Sequence, residues 1–157
     1  MSSQSSPLIL RLRPVLRRMN RVMIKNYGPH FPGRRLILLL TTTGRSSGKP
    51  RVTPLQYELI DGTRWIASGW GKDADWLKNI RKEPGVSVQV GGEQYQATAE
   101  LIESPAQVSD FLELRLKRHP LMVGLMLRAQ GLPVKHTRQD LERLAVDIVA
   151  VKLRPVE

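Results

Sequence analysis

VSVQVGGEQYQATAELI, residues 86–102, alternates apolar and polar residues on both sides of a Gly91-Gly92 pair. Period-two alternation is the pattern of a half-buried strand, and two glycines suit the positive φ of a tight hairpin turn. The stretch therefore predicts two antiparallel strands, 86–90 and 93–102. Working outward, VTPLQYELI (52–60) and RWIASG (64–69) flank an Asp61-Gly62 turn and read as a second hairpin. RLILLLTTT (35–43) reads as a buried strand, and DIVAVKL (147–153) as a closing one.

Helices are expected between these strands. DADWLKNIRKEP (73–84) has Asp73 as N-cap and Pro84 beyond its end. Ser104-Pro105-Ala106-Gln107 matches a capping box with proline in the first turn, opening a helix through FLELRLKRHP. Residues 121–132 are apolar and suit a helix or a lid, and RQDLERLA (138–145) a short polar helix or turn. Hairpins with helices inserted and no βαβ rhythm give an α+β domain. The pattern alone does not determine a barrel.

The chain of 157 residues is 41% hydrophobic, enough for one core, and carries a net charge of +11. No acidic residue precedes Glu58, and eleven Lys or Arg do; beyond that point acids and bases cancel. A one-signed field concentrated in the first third attracts phosphates, nucleic acid or anionic lipid. With no cysteine, disulfides, thiolate metal sites and a cysteine nucleophile are excluded, and His30, His119 and His136 lack metal-ligand spacing. No apolar run approaches the roughly 20 residues that span a bilayer. Arginines interrupt the first apolar stretch, unlike a secretory signal, so a cytoplasmic location is the expectation.

The first residues, 1–27, divide from the rest (28–157). Leu8, Leu12, Val15, Leu16, Met19, Val22 and Met23 follow helical spacing, with arginines at most other positions and Pro14 kinking or starting the helix. Such a basic amphipathic segment, 8–25, either packs its apolar face on the domain or lies on an anionic membrane. Nucleic acid is disfavoured, since the basic stretch has no recognition motif or interleaved aromatics.

The densest chemistry is TTTGRSSGKPRVTPL, residues 41–55. It is neither GxxxxGK[ST] nor GxGxxG, yet it suits an anion. Gly44 and Gly48 permit positive φ and let amides converge; Ser46 and Ser47 add hydroxyl donors; Arg45, Lys49 and Arg51 add charge. The alternative is a basic, solvated hairpin turn. A second stretch, WIASGWGKDADWLKNIR (65–81), puts Ala67, Ser68, Gly69 and Gly71 at a strand end, followed by Trp70 and Trp76. Small residues admit a flat ring and aromatics wall it in, although Trp76 equally suits a core anchor and Trp70 a barrel cap. Asn79 suits either holding a loop or touching a ligand.

These two stretches, in this order and followed by the strand near Tyr95, resemble the deazaflavin-dependent nitroreductase family over roughly residues 30–153. The resemblance implies a split β-barrel of the FMN-binding type with peripheral helices. It implies reduced 8-hydroxy-5-deazaflavin, coenzyme F-420, as cofactor. It assigns Arg45, Ser47, Gly48 and Arg51 to the coenzyme phosphate, with Ser46 and Lys49 beside it and Gly44 shaping the loop. Thr53, Pro54 and Leu55 would flank the ring, Ala67-Ser68-Gly69 would lie along it, Trp70 would help wall it in, and Trp76 with Asn79 would support that wall. The implied activity is hydride transfer to a small-molecule acceptor: a quinone, an enone or a nitro compound. Residues 115–136 contain no tyrosine, where the best-known nitroreductases present several to substrate, which favours quinones and activated double bonds over nitroimidazoles. His119 is the nearest candidate proton donor. FMN in the same loop, or a binding module without chemistry, are the competing readings.

Overall fold

The computed structural model describes residues 7–69 and 72–157. Trp70 and Gly71 lie outside the described residues. A helix α1 (Pro7–Asn26) precedes strands β1 (Ile37–Thr43), β2 (Pro50–Gln56), β3 (Glu58–Ile60) and β4 (Thr63–Ala67). Helix α2 (Asp75–Lys82), the hairpin β5 (Gly85–Val90) and β6 (Glu93–Ile102), helices α3 (Pro105–Arg118), α4 (Pro120–Ala129) and α5 (Arg138–Ala145), and β7 (Ala150–Pro155) follow.

Seven strands form one antiparallel sheet in the order β2-β1-β5-β6-β7-β4-β3. The hairpin at 86–102 folds as its alternation predicts, with Val88 opposite Tyr95 and Gly91 at φ 60°. The Asp61-Gly62 turn has both residues at positive φ, 49° and 77°, as a tight right-twisted hairpin requires. The sheet curls into a split β-barrel, consistent with the α+β reading.

The expected strand 52–60 is instead two strands serving opposite edges of the sheet. β2 pairs with β1, Leu55 opposite Leu38, whereas only Glu58–Ile60 pairs with β4. Tyr57 turns the corner: its amide donates to the Leu36 carbonyl (3.0 Å) and its hydroxyl to the Arg34 carbonyl (3.1 Å). One continuous run of sequence thereby joins the two edge strands of the sheet. Pattern alone misses this because both halves alternate in the same way.

Two apolar clusters fill the domain. Leu38, Leu40, Ile66, Leu77, Ile80, Val88, Val151 and Leu153 occupy the barrel interior, with Trp76 against them. Phe111, Leu112, Val123, Leu127, Leu141 and Ile148 form the second cluster, between the outer sheet face and helices α3 to α5. Ser104 caps α3 by accepting from the Gln107 amide, with Pro105 in the first turn, as expected. α5 has a full capping box, Thr137 with Asp140, that the sequence reading passed over. Helix α2 begins one residue later than expected, with Ala74 rather than Asp73 at the N-cap. β7 begins at Ala150 because residues 146–149 complete the turn out of α5.

Helices α3 and α4 are bolted to the barrel by a buried carboxylate. Glu58, 5% exposed at its side chain, lies 3.3 Å from Arg115 Nε, 3.1 Å from Arg118 Nη1 and 3.2 Å from His119 Nε2. Gln56 Oε1 accepts a further bond from Arg115 (2.7 Å). Leaving the buried Arg115 guanidinium against a neutral amide removes the charge that offsets its burial. Glu58→Gln is expected to destabilise the fold by about 3 kcal/mol in urea unfolding.

Tyr27 ties the end of α1 to the barrel. Its hydroxyl donates to the Ile37 carbonyl (2.7 Å) and accepts from the Gly91 amide (2.9 Å). Burial, the largest cause, raises the phenol's pKa above its ordinary value, against the opposing bond from Gly91. Because the folded pKa is raised, the contribution is complete below the unfolded phenol's pKa and is lost as pH rises through the folded one. Tyr27→Phe is expected to cost about 1–3 kcal/mol at neutral pH. The wild-type advantage should shrink in alkaline denaturation curves.

Candidate functional site

Strands β1 and β4 run in the same direction, because four successive antiparallel pairings, through β5, β6 and β7, separate them by an even number of reversals. Loop 44–49 and segment 67–69 thus leave the same end of the barrel, and α2, joining β4 to β5, spans that end. Two stretches distant in sequence are gathered by topology.

The loop itself is held from within. Gly44 N–H donates to the Lys49 carbonyl (2.8 Å) and Gly48 N–H to the Gly44 carbonyl (2.8 Å). Ser47 Oγ accepts from the Lys49 amide (3.2 Å). The two glycines play different parts. Gly48 has φ +69°, whereas a Cβ on Gly44 would meet Ser47 Oγ at 2.7 Å and the Lys49 carbonyl oxygen at 3.1 Å. Positive φ at both, the expectation from sequence, holds only at Gly48. Neither glycine amide is free for a ligand. The amides of Ser46 and Ser47 carry no partner among the described residues, and both residues are exposed.

Asn79 fixes the loop to α2. Its Oδ1 accepts from the Arg45 amide (3.2 Å) and from Arg45 Nη1 (3.0 Å), while its Nδ2 donates to Thr42 Oγ1 (3.1 Å). Arg45 also pairs with Asp75 (3.1 Å), and Lys82 Nζ donates to the Arg45 carbonyl (2.7 Å). Of the two roles open to Asn79 from sequence, holding the loop is the one its hydrogen bonds perform. Arg45 is engaged by α2 before any ligand arrives. Arg51 has no hydrogen-bond or ionic partner among the described residues.

A cavity of about 610 Å³ opens over this loop. Gly44, Arg45, Ser46, Ser47, Arg51, Thr53, Trp76 and Asn79 line it, as sequence reasoning expected, and Val52 joins them. Trp76 serves twice, walling the cavity and packing in the barrel core. Gly48, Lys49, Pro54 and Leu55 do not line it; Leu55 packs against the barrel core. Ala67 pairs with Ala150, and Ser68 is buried with its amide on the Val149 carbonyl (2.9 Å) and its Oγ accepting from the Val149 amide (3.3 Å). Segment 67–69 is therefore at the right end but outside this cavity, with Gly69 facing Gln130. His119 is elsewhere, on Glu58.

The fourth wall was not foreseen. Arg17, Asn20, Arg21 and Ile24 of α1 line the same cavity. At about 100° per residue these positions share one face, and Leu12, Val15, Leu16, Met19 and Val22 share the opposite one. All five of the latter are exposed, Met19 to 57%. Arg17 and Arg21 border the cavity but are exposed, Asn20, Met23 and Ile24 are half-buried, and the apolar stripe also faces solvent, so this helix buries neither face fully. Pro14 sits within a helix that already began at Pro7.

Comparison with known proteins decides the family. A sequence model of the family described as F420H(2)-dependent quinone reductase matches residues 11–122. The chain belongs to this family. A curated F420H(2)-dependent quinone reductase of Mycobacterium tuberculosis is 32% identical over 79 residues, covering 48% of this chain and 53% of the relative. The chain spans about half the length of the curated relatives it matches. Among solved structures, one titled F420-H2 Dependent Reductase (FDR-A) aligns with TM-score 0.51 at 24% identity, over 76% of this chain and 95% of that one. HutZ, a heme storage protein of Vibrio cholerae, aligns with TM-score 0.53 at 15% identity, over 78% and 83%. At these identities the two structures speak for the split-barrel fold alone.

Removing the Asn79 amide should loosen the loop. Asn79→Ala is expected to lower stability by about 1–3 kcal/mol, since Thr42 and the Arg45 amide lose their buried partner. Amide exchange at Arg45 should accelerate with it, and unchanged exchange there would contradict the clamp.

Proposed function

We propose that this protein binds reduced 8-hydroxy-5-deazaflavin, coenzyme F-420, and reduces a quinone. The observation that carries the reading is the pair of free amides at Ser46 and Ser47 beside the unpartnered Arg51, facing a roomy cavity in a family named for that chemistry. These groups fit a phosphate: two adjacent N–H donors and a guanidinium fork. Gly44 lets the turn close tightly, since a Cβ there would meet Ser47 Oγ and the Lys49 carbonyl. Gly48 supplies the left-handed residue that closes it.

In this reading Ser46, Ser47 and Arg51 hold the phosphate, and Arg45 and Lys49 add field at the loop. Thr53 and Trp76 border the path from the phosphate toward the ring, with Pro54, Leu55 and the Ala67-Ser68-Gly69 end flanking the ring itself. Trp70 is a candidate for the same wall. When bound, the reduced deazaflavin supplies a hydride, and the acceptor takes up that hydride and one proton to become the quinol. The protein contributes position, electrostatics and exclusion of water. Because His119 is tied to Glu58, the proton is assigned to solvent rather than to that ring. FMN, the alternative for the same loop, has no support from the family description.

The exposed apolar face of α1 favours one addition. Leu12, Val15, Leu16, Met19 and Val22, bordered by Arg11, Arg18 and Lys25, have the composition of a helix resting on anionic lipid, where hydrophobic quinones reside. No helix among the described residues is long and apolar enough to cross a membrane. Surface association is the reading this helix supports.

Titration with the reduced coenzyme should give salt-sensitive binding, weakened at least tenfold, or about 1.4 kcal/mol, by Arg51→Ala. An anaerobic screen of quinones, enones and nitroaromatics should show quinones turned over fastest. A yellow protein with a flavin spectrum, indifferent to the deazaflavin, would sink the assignment. Co-sedimentation with vesicles containing anionic lipid should be lost in Val15→Asp/Met19→Asp; equal pelleting of the variant would rule this helix out as the anchor.

A further inference from the structure

We infer that α4 is a lipid-docking helix, resting Leu121 and Leu125 on an anionic membrane surface within a ring of unpaired cations. The inference rests on the membrane reading that α1 supports and adds a second helix to it; it does not depend on the coenzyme. The three most exposed large apolar side chains among the described residues lie close together in sequence: Leu121 at 82%, Val134 at 70% and Leu125 at 65%. Leu121, Leu125 and Arg128 fall at i, i+4 and i+7, on one face of α4, whereas Val123, Gly124 and Leu127 are buried on the other. Helix α4 thus spends one face on the core and presents leucines to water on the opposite face.

Charge says what covers them. Residues 114–139 contain six Lys or Arg and no Asp or Glu. Arg115 and Arg118 are taken by Glu58, and Arg138 by Asp110, Glu113 and Glu142. The side chains of Lys117, Arg128 and Lys135 have no hydrogen-bond or ionic partner among the described residues, and all three are exposed. Apolar side chains ringed by free cations, with no acid in the segment, match a bilayer surface that carries anionic headgroups. A protein partner suits the face less well, because the buried centre of a protein interface is poor in lysine and rich in aromatics, and 114–139 holds no Phe, Tyr or Trp. Helix α1 shows the same combination, an exposed apolar stripe in a stretch without an acid before Glu58. The two helices also flank one strand: Met122 Sδ of α4 accepts from Gln56 Nε2 (3.8 Å) at the end of β2, and β2 borders the α1 cavity through Arg51, Val52 and Thr53.

The test is binding of the full chain to vesicles of phosphatidylcholine with and without phosphatidylglycerol. Leu121→Asp/Leu125→Asp is expected to weaken binding to the anionic vesicles about tenfold. Lys117→Gln/Arg128→Gln/Lys135→Gln should weaken it at least tenfold and leave the neutral vesicles unaffected. Val146→Asp/Val156→Asp, which puts the same charge on exposed apolar residues outside both helices, should stay within about twofold of wild type. Because the chain has no cysteine, Leu121→Cys carries a single polarity-sensitive dye, whose emission should shift to the blue when anionic vesicles are added. Unchanged binding in the leucine or the cation variant, an equal loss in the Val146/Val156 control, or an unshifted dye overturns the inference. A lipid-free dimer that Leu121→Asp/Leu125→Asp disperses would give the face to a second copy and overturn it as well. Comparison with Val15→Asp/Met19→Asp separates the two helices. Loss in that variant with none in the α4 variant keeps α1 as the anchor and removes α4; the converse keeps α4 and removes α1. A wild type that binds neither vesicle removes both.

Discussion

One buried amide organises the working end of this protein. Asn79 uses its carbonyl to receive the backbone and side chain of Arg45 and its NH2 to reach Thr42, so the last turn of β1, the glycine loop and α2 become one rigid unit. A loop of two serines and two glycines has large conformational entropy to lose, and an exposed anion site built on it would be slack. Fastening it to a helix whose other face carries Leu77 and Ile80 into the core converts core stability into loop order. The free amides of Ser46 and Ser47 are useful because every neighbouring amide has been spent on holding them in place.

The barrel depends on a comparable economy at Tyr57. Sheets with open edges invite pairing with other chains, and here the two edge strands are consecutive in sequence, joined by a residue whose amide and hydroxyl are both satisfied on the 34–36 segment. The same corner places Glu58 where it can receive Arg115, Arg118 and His119, so closure of the barrel and docking of α3 and α4 are one event. Helix α1 obeys another logic. Arg17 and Arg21 border the cavity, and Leu12, Val15, Leu16, Met19 and Val22 are exposed.

The loop's chemistry was legible before the fold: glycine, serine and arginine in that density point to an anion, and the fold supports placing Ser46, Ser47 and Arg51 around one. Strand positions were legible wherever alternation was bounded by turn residues, as at 86–102. Legibility failed where one signal served two structures. Residues 52–60 read as one run across a corner, and the hydroxyl and amide that make the corner at Tyr57 act on Arg34 and Leu36, far off in sequence. Gly44 and Gly48 look alike in sequence, yet one answers to backbone dihedral and the other to the nearness of the Lys49 carbonyl.

Composition and spacing on their own determined that the chain is an antiparallel α+β domain, that its positive excess surrounds one loop, and that this loop suits a phosphate. These are local properties, set by periodicity, turn chemistry and charge within a few residues. Only the tertiary structure decided that Asn79 is a clamp, that segment 67–69 shares the loop's end of the barrel but not its cavity, and that Arg17 and Arg21 border that cavity. The reason is physical: a helical wheel shows which residues share a face but not what that face will meet. For α1 the sequence left the apolar face open to the domain or to a membrane, and in the structure that face is exposed.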